Sequence, residues 1–169
     1  ARLVGDPVIP MSEPPGRPAW RKASTDRRLY FSSFALDASS AVEICSVLAQ
    51  VRPAFIMGYP SSLSALVGLV DADARLLRGW RPKAVWYSSE PLYPHQREAI
   101  GDFFQAPIRG FYGCAERVVS AAECSWGTYH LSLVDGYVEG EFTLRGTGAG
   151  PAVVTGLENW AMVKSRVVV

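Results

Sequence analysis

Pro53-Ala54-Phe55-Ile56-Met57-Gly58-Tyr59-Pro60-Ser61-Ser62-Leu63 sets a short apolar run between a proline and a Gly-Tyr-Pro turn. Such a run, continuous rather than alternating and bounded by breakers, reads as a buried strand over Ala54 to Met57. Ser61 or Ser62 then caps a helix in which Leu63, Leu66, Val67 and Val70 recur at helical spacing. The same unit repeats downstream. Ala84 to Tyr87 is a second buried strand, ending in Ser88-Ser89-Glu90-Pro91. Pro94 stands where the first turn of a helix begins, and that helix runs to about Phe104. Ile108 to Tyr112 is a third strand, ending at Gly113. Strand and helix alternate at intervals of about 25–30 residues, which predicts a parallel sheet with crossover helices.

Upstream, Asp37 is a good N-cap for a helix reaching about Gln50, and Glu43 falls in its early turns. Val42, Cys45, Val47, Leu48 and Val51 supply its apolar stripe, and Pro53 stops it. Leu29 to Phe34 has strand character. Residues 1–28 are rich in Pro, Arg and small polar residues and read as an extended surface lead-in, with Arg21 to Arg28 a solvated run. From about residue 117 the pattern changes to short strands between Gly-rich turns: Val118–Ala122, Tyr129–Val134, Val138–Leu144 and Ala152–Thr155. The expected organisation is therefore α/β: lead-in 1–28, an α/β half over 29–116, and an antiparallel or partial-barrel β region over 117–169.

Bulk properties exclude several classes. The 169 residues fit one domain, and 49% hydrophobic content supports a real core. With 17 basic and 16 acidic residues the net charge is +1, which gives no field for nucleic acid or an anionic membrane. No run of about 18 apolar residues exists to span a bilayer. The opening residues lack the order of a secretory signal. Cys45, Cys114 and Cys124 are an odd, irregular set, which argues for a reducing compartment, most simply the cytoplasm. The chain opens without Met and closes on Arg166-Val167-Val168-Val169, and it is expected to be part of a longer domain.

In open parallel sheets ligands bind beyond the carboxyl ends of the strands. Three strand-end turns would converge there: Gly58–Ser62, Ser88–Leu92 and Tyr112–Glu116. Together they offer hydroxyls, helix-start N–H groups, two carboxylates and aromatic rings, a set suited to a nucleotide.

Phe111-Tyr112-Gly113-Cys114-Ala115-Glu116 resembles the Tyr-Gly-x-Thr-Glu motif of the adenylate-forming (AMP-binding) enzyme superfamily. Ser88-Ser89-Glu90-Pro91-Leu92 lies upstream of it, where that superfamily has its second adenine-side loop. Gly58 to Leu63, the Glu123-Cys124…His130 spacing and Thr155-Gly156-Leu157-Glu158-Asn159-Trp160-Ala161-Met162 are similar to the phenylacetate–coenzyme A ligase branch. That branch includes ligase-like proteins associated with capsular polysaccharide synthesis. The resemblance covers roughly residues 30–166 and implies a piece of the large N-terminal domain.

The resemblance implies roles residue by residue. Tyr112 would pack against adenine, beside Gly113. Glu116 would be the catalytic carboxylate that helps hold Mg²⁺. Ser88, Ser89, Glu90 and Pro91 would line the nucleotide pocket. Tyr59, Ser61 and Ser62 would lie on the substrate side. The implied partners are ATP or AMP, a carboxylic acid of aryl or similar type, and coenzyme A. The implied reaction activates the acid as acyl-AMP and then transfers it to the thiol, relying on positioning and charge stabilisation.

The departures bear on activity. Ala115 stands where the family has Thr, and after Met162 only Arg166 matches the family's pattern. The Ser/Thr/Gly-rich phosphate loop and the lysine-bearing C-terminal domain are not among these residues. The chain alone is thus expected not to adenylate. Cys124 and His130 are good zinc-ligand types, but two ligands make only a partial site. Plainer readings stand beside these. Glu90 could cap the helix starting near Pro94, and Cys124 and His130 could be a buried thiol and a hydrogen-bonded imidazole. Two other functions remain open, a degenerate homologue serving as a binding or scaffold module and an unrelated nucleotide-binding α/β domain. An exposed sheet edge would favour a homodimer.

Overall fold

In the computed structural model of the chain, the residues described are 1–5, 20–23, 28–114, 118–132, 134–140, 152–156 and 166–168. The elements are β1 (Arg2–Val4), β2 (Trp20–Lys22), β3 (Leu29–Ser32), α1 (Ala38–Val51), β4 (Phe55–Gly58), α2 (Pro60–Leu69), β5 (Ala84–Tyr87), α3 (Pro94–Phe104), β6 (Ile108–Gly113), β7 (Ser120–Glu123), β8 (Tyr129–Leu131), β9 (Gly136–Gly140), β10 (Ala152–Gly156) and β11 (Arg166–Val168). A 3-10 turn, Ala74–Leu77, lies between α2 and β5. The chain divides into two units, Ala1–Arg109 and Gly110–Val169.

The first unit is α/β. Its strands lie in the order β2-β3-β1-β4-β5-β6. β1 pairs in parallel with β3 and β4, and β4 pairs in parallel with β5. β2 closes the edge antiparallel to β3. Each crossover from β3 through α1, α2 and α3 to β6 advances in one direction, so right-handed crossovers place the helices on one face. One core collects the alternating strand residues Leu29, Phe31, Leu3, Ile56, Val85 and Tyr87 with helix residues such as Ile44, Leu63 and Phe104. The expectation of a parallel sheet with crossover helices is met here.

α1 follows its sequence signals. Asp37 is the N-cap: its carboxylate accepts from the Ser40 N–H at 2.7 Å, and Ser40 Oγ accepts from the Asp37 N–H at 2.8 Å. Arg52 ends the helix in the left-handed region. The apolar stripe is rotated from the expected one: Ala41, Ile44, Cys45, Val47 and Leu48 are buried, while Val42 and Val51 are exposed. α2 differs more. Its N-cap is Tyr59, with Pro60 in the first turn, and neither Ser61 nor Ser62 caps it. Proline's fixed φ and missing N–H suit that first position, which starts the helix earlier than the serines suggested.

The lead-in reading of residues 1–28 is corrected at Arg2–Val4, whereas Trp20–Lys22 is an extended edge strand with Arg21 and Lys22 exposed. Leu3 and Val4 are buried in a strand lying between β3 and β4. The three-residue β1 is too short for any periodicity to register, and its pairing is entirely non-local. Arg21 is exposed, as the solvated-run reading has it, and it also packs on an aromatic ring. Register places Arg21, Tyr30 and Arg2 side by side, and both guanidinium groups lie over the Tyr30 ring, at 5.3 and 5.9 Å. The Trp20 indole N–H donates to Glu43 at 2.9 Å, which ties β2 to α1. The other lead-in residues, 6–19 and 24–27, lie outside the described residues.

The second unit is antiparallel. The last residues of β6 pair with β7, and β7 pairs with β8. β9, β10 and β11 form a separate three-stranded antiparallel sheet in the order β11-β10-β9. The antiparallel alternative for this region is therefore the one realised among the described residues, and the unit begins at Gly110 rather than 117. Val118 and Val119 form a small core with Cys114 and Val138. A β-carbon on Gly136 would overlap the Val118 carbonyl, so glycine is required at that crossing. The Glu123 carboxylate is buried and accepts from the Gly110 N–H at 2.5 Å.

Two outcomes follow from this packing. A β-carbon on Gly58 would sit 2.9 Å from the Leu3 carbonyl oxygen and 2.9 Å from Leu63 Cγ. Gly58→Ala should therefore destabilise the chain by about 1–3 kcal/mol, read as a lower urea midpoint. The Asp37 carboxyl is held below its usual pKa, first by the Ser40 N–H and then by the Ser40 hydroxyl. A depressed carboxylate contributes stability that is complete above its unfolded pKa and is lost as pH falls through the folded value. Asp37→Asn keeps a capping side chain without the titration, so its urea midpoint should fall less than the wild type's between about pH 5 and pH 3.

Candidate functional site

Parallel register aligns Gly58 with Tyr87, so the turns after β4 and β5 leave the sheet together. The first turn carries Tyr59, Ser61 and Ser62, and the second carries Ser88, Ser89, Glu90 and Pro91. Both belong to the first unit and stand at the carboxyl ends of parallel strands, where a sheet of this kind presents a ligand edge. Tyr59 is half-buried as the N-cap of α2, Ser61 is exposed, and Ser62 is 8% exposed.

These two turns are bonded to each other. The Ser61 N–H donates to Glu90 Oε2 at 3.0 Å, and the Ser61 hydroxyl donates to Glu90 Oε1 at 2.9 Å. The reason lies in α2. Tyr59 gives no side-chain cap, so the first-turn N–H groups need an outside acceptor. A carboxylate at a helix N-terminus satisfies a donor and meets the positive end of the helix dipole. Sequence reasoning placed Glu90 on the nucleotide side or at the start of α3. The α3-cap reading is not met: Glu90 caps α2, while α3 is closed by Gln96, whose side chain accepts from the Tyr93 N–H at 3.1 Å. The signal that could have revealed the link was Pro60 directly after a non-capping residue.

Ser89 adopts φ +69, in the left-handed region that a serine adopts only at some cost. This directs the backbone out of β5, with Ser89 exposed and the Ser88 and Ser89 hydroxyls 3.4 Å apart. Arg97 of α3 braces the same strand, with its guanidinium 5.7 Å from the Tyr87 ring and donating to the Ile108 carbonyl at 3.3 Å.

The second unit holds the remaining expected residues. Tyr112 is 46% exposed on β6 and pairs with Ala121, and Gly113 pairs with Ser120. Glu116 lies outside the described residues, as do Ala115 and residues 157–165. Cys124 and His130 do meet. They share one face of the β7–β8 hairpin, where Ala122 stands opposite His130 and the Cys124 N–H donates to the Thr128 carbonyl. Hydrogen bonds from the Trp126 backbone and from His130 hold the Cys124 thiol below its usual pKa. Among the described residues no group of three His, Cys, Asp or Glu could hold a metal ion. Among the described residues the pair supplies two of the four ligands that a structural zinc site needs. Cys124 is half-buried and His130 exposed, so the buried-thiol reading is also only partly met. Trp80 is a core residue, and Trp126 in the hairpin turn is 91% exposed.

No protein-family model matches the chain, and no curated protein sequence matches it. Solved structures do. A 2-hydroxyisobutyryl-CoA ligase, in complex with 2-HIB-AMP and CoA in the thioesterification state, superposes with a TM-score of 0.58 at 20% identity, covering 76% of this chain and 29% of that one. The same ligase in the postadenylation state with R3-HIB-AMP gives 0.56 at 21% identity, covering 76% of this chain and 30% of that one. A Brucella canis acyl-CoA synthetase gives 0.53 at 15% identity, covering 75% of this chain and 24% of that one. The chain spans less than a third of each of these proteins. Over about three quarters of its length it has the mixed α/β fold found within acid–CoA ligases.

Proposed function

We propose that this chain is part of an ATP-dependent acid–coenzyme A ligase, from the nucleotide-binding large domain. The observation that carries the reading is the coincidence of two independent lines. The fold is that found within acid–CoA ligases, and along the same residues two stretches resemble motifs of the adenylate-forming superfamily and three resemble its phenylacetate–coenzyme A ligase branch, in order. Likeness of fold alone would not carry a function. The placement of Tyr59–Ser62 and Ser88–Pro91 on adjoining strand ends supports it further.

In this reading the Ser88–Pro91 turn, with Ser89 and Pro91 exposed, offers hydroxyls and backbone groups to AMP or ATP, and Tyr112 has the aromatic role toward the base that the resemblance implies. Glu116 is the residue proposed for Mg²⁺. The acid, an aryl or similar organic carboxylate, is proposed to lie on the side of Tyr59, Ser61 and Ser62. The carboxylate oxygen attacks the α-phosphorus of ATP and releases pyrophosphate, and the thiol of coenzyme A then takes the acyl group and releases AMP. No protein nucleophile is required, so these residues contribute position and charge. The phenylacetate–coenzyme A ligase branch, with its members linked to capsular polysaccharide synthesis, fits the Gly58–Leu63 and Thr155–Met162 motifs. A cytoplasmic location suits substrates of this kind, and no helix among the described residues is long and apolar enough to cross a membrane.

Because the chain corresponds to under a third of such a ligase, we propose that it does not adenylate by itself. Ala115, in place of the motif's threonine, favours a second reading, a degenerate homologue that binds nucleotide without catalysis. Calorimetric titration with AMP and ATP, with and without Mg²⁺, tests the nucleotide half. Binding should occur, and Tyr112→Ala should weaken it about tenfold or more, the usual scale for a lost aromatic stack. Glu116→Ala should remove the Mg²⁺ dependence for ATP. Absence of binding at millimolar AMP, or affinity indifferent to Tyr112→Ala, would contradict the proposal.

A further inference from the structure

We infer that Glu90 is a positioning residue that joins the start of α2 to the β5–α3 turn, so that the substrate-side and nucleotide-side turns move as one piece. This inference rests on the functional reading above for what the two turns bind. The joint itself is read from geometry within the first unit.

The geometry has three parts. First, one carboxylate uses both of its oxygens on one residue, with the Ser61 N–H at 3.0 Å and the Ser61 hydroxyl at 2.9 Å. A two-point contact fixes orientation as well as distance, and an ionised acceptor strengthens each bond. Second, each partner is anchored to a rigid element on its own side. Ser61 stands in the first turn of α2, and the adjoining Gly58 is wedged against Leu3 and Leu63 without room for a β-carbon. Glu90 follows Ser89, whose left-handed φ sets the exit from β5, and Tyr87 beyond it is braced by Arg97. Third, α2 has no cap of its own, since Tyr59 makes no side-chain bond to the helix start. Withdrawing Glu90 therefore leaves donors of α2 without their acceptor at the same moment that it frees the turn.

A displacement of either turn is consequently felt by the other. A ligand that orders Ser88–Pro91 through Glu90 also orders the start of α2, and a carboxylic acid settling near Tyr59 and Ser62 does the reverse. Such coupling is reciprocal by thermodynamic necessity. It would let a two-substrate site form as a unit rather than loop by loop. Both carboxylate oxygens of Glu90 are engaged by Ser61, so the effect of this joint should run through backbone order.

Hydrogen exchange followed by mass spectrometry on the 169-residue chain tests this, using wild type, Ser61→Ala, Glu90→Ala and Glu90→Gln, each with and without AMP. Ser61→Ala is a mild change at an exposed helix position and keeps the fold available for reading. It should speed exchange of the 88–93 amides about tenfold, although it lies far from them in sequence. Glu90→Ala should speed exchange at 60–64 by a similar factor, with α1 unchanged. Glu90→Gln retains a side-chain acceptor and should restore most of the protection, which a merely bulky filler would not explain. AMP should protect both segments in wild type and only 88–93 in Ser61→Ala. Unchanged exchange at 88–93 in Ser61→Ala would overturn the inference. If Ser61→Ala loosens 88–93 yet AMP protects nothing in wild type, the joint stands and the nucleotide reading fails.

Discussion

The backbone at Gly58 passes against the Leu3 carbonyl and the Leu63 side chain at a distance that excludes a β-carbon. Much of the first unit depends on that approach. It lets β4 lie in parallel register between β1 and β5, and it lets α2 begin two residues later, at Pro60. Parallel pairing then sends β4 and β5 toward the same edge, and the residues after these two strands become neighbours. The two turns that carry Ser61 and Glu90 are brought together by this register before any hydrogen bond is formed between them.

The elements that could be read from sequence are those whose signals are local. Asp37 with Ser40 marks the start of α1, Pro94 marks the start of α3, and the run Ala84–Tyr87 is a strand at its full observed length. Non-local features were not readable. β1 is a Leu-Val pair beside an arginine, and only its partners β3 and β4 make it a central strand. The cap of α2 comes from a residue far along the chain, so neighbouring serines were a misleading guide. The candidate site shows the same division. The turns themselves were legible, because Gly, Pro and Ser cluster after each apolar run. The bond that unites two of them was not, because it is set by strand order rather than by spacing.

Function rests on a different footing from fold. Similarity to acid–CoA ligases at about one fifth identity establishes architecture over part of those proteins, and the chemistry is argued from Tyr112, Glu116 and the Ser88–Pro91 turn. In the proposed function the Ser88–Pro91 turn meets the nucleotide with hydroxyls and backbone groups beyond parallel strands, and the roles of Tyr112 and Glu116 are those the resemblance implies. The Cys124–His130 pair, by contrast, is a hydrogen-bonded couple on a hairpin and supplies too few ligands to hold a structural metal among the described residues. We propose recognition at the strand-end edge of the first unit; the opposite edge, where the Ala74–Leu77 turn and the end of α3 lie, carries a separate pocket lined by Ala74, Trp80 and Phe104.

Assigned amide NMR shifts recorded during an AMP titration test that placement most directly. The account predicts that the largest perturbations fall on Gly58–Ser62 and Ser88–Leu92, with Arg78–Trp80 and Gln105 at the opposite edge unmoved. Perturbations centred on the opposite edge, or spread evenly over the first unit, would contradict it.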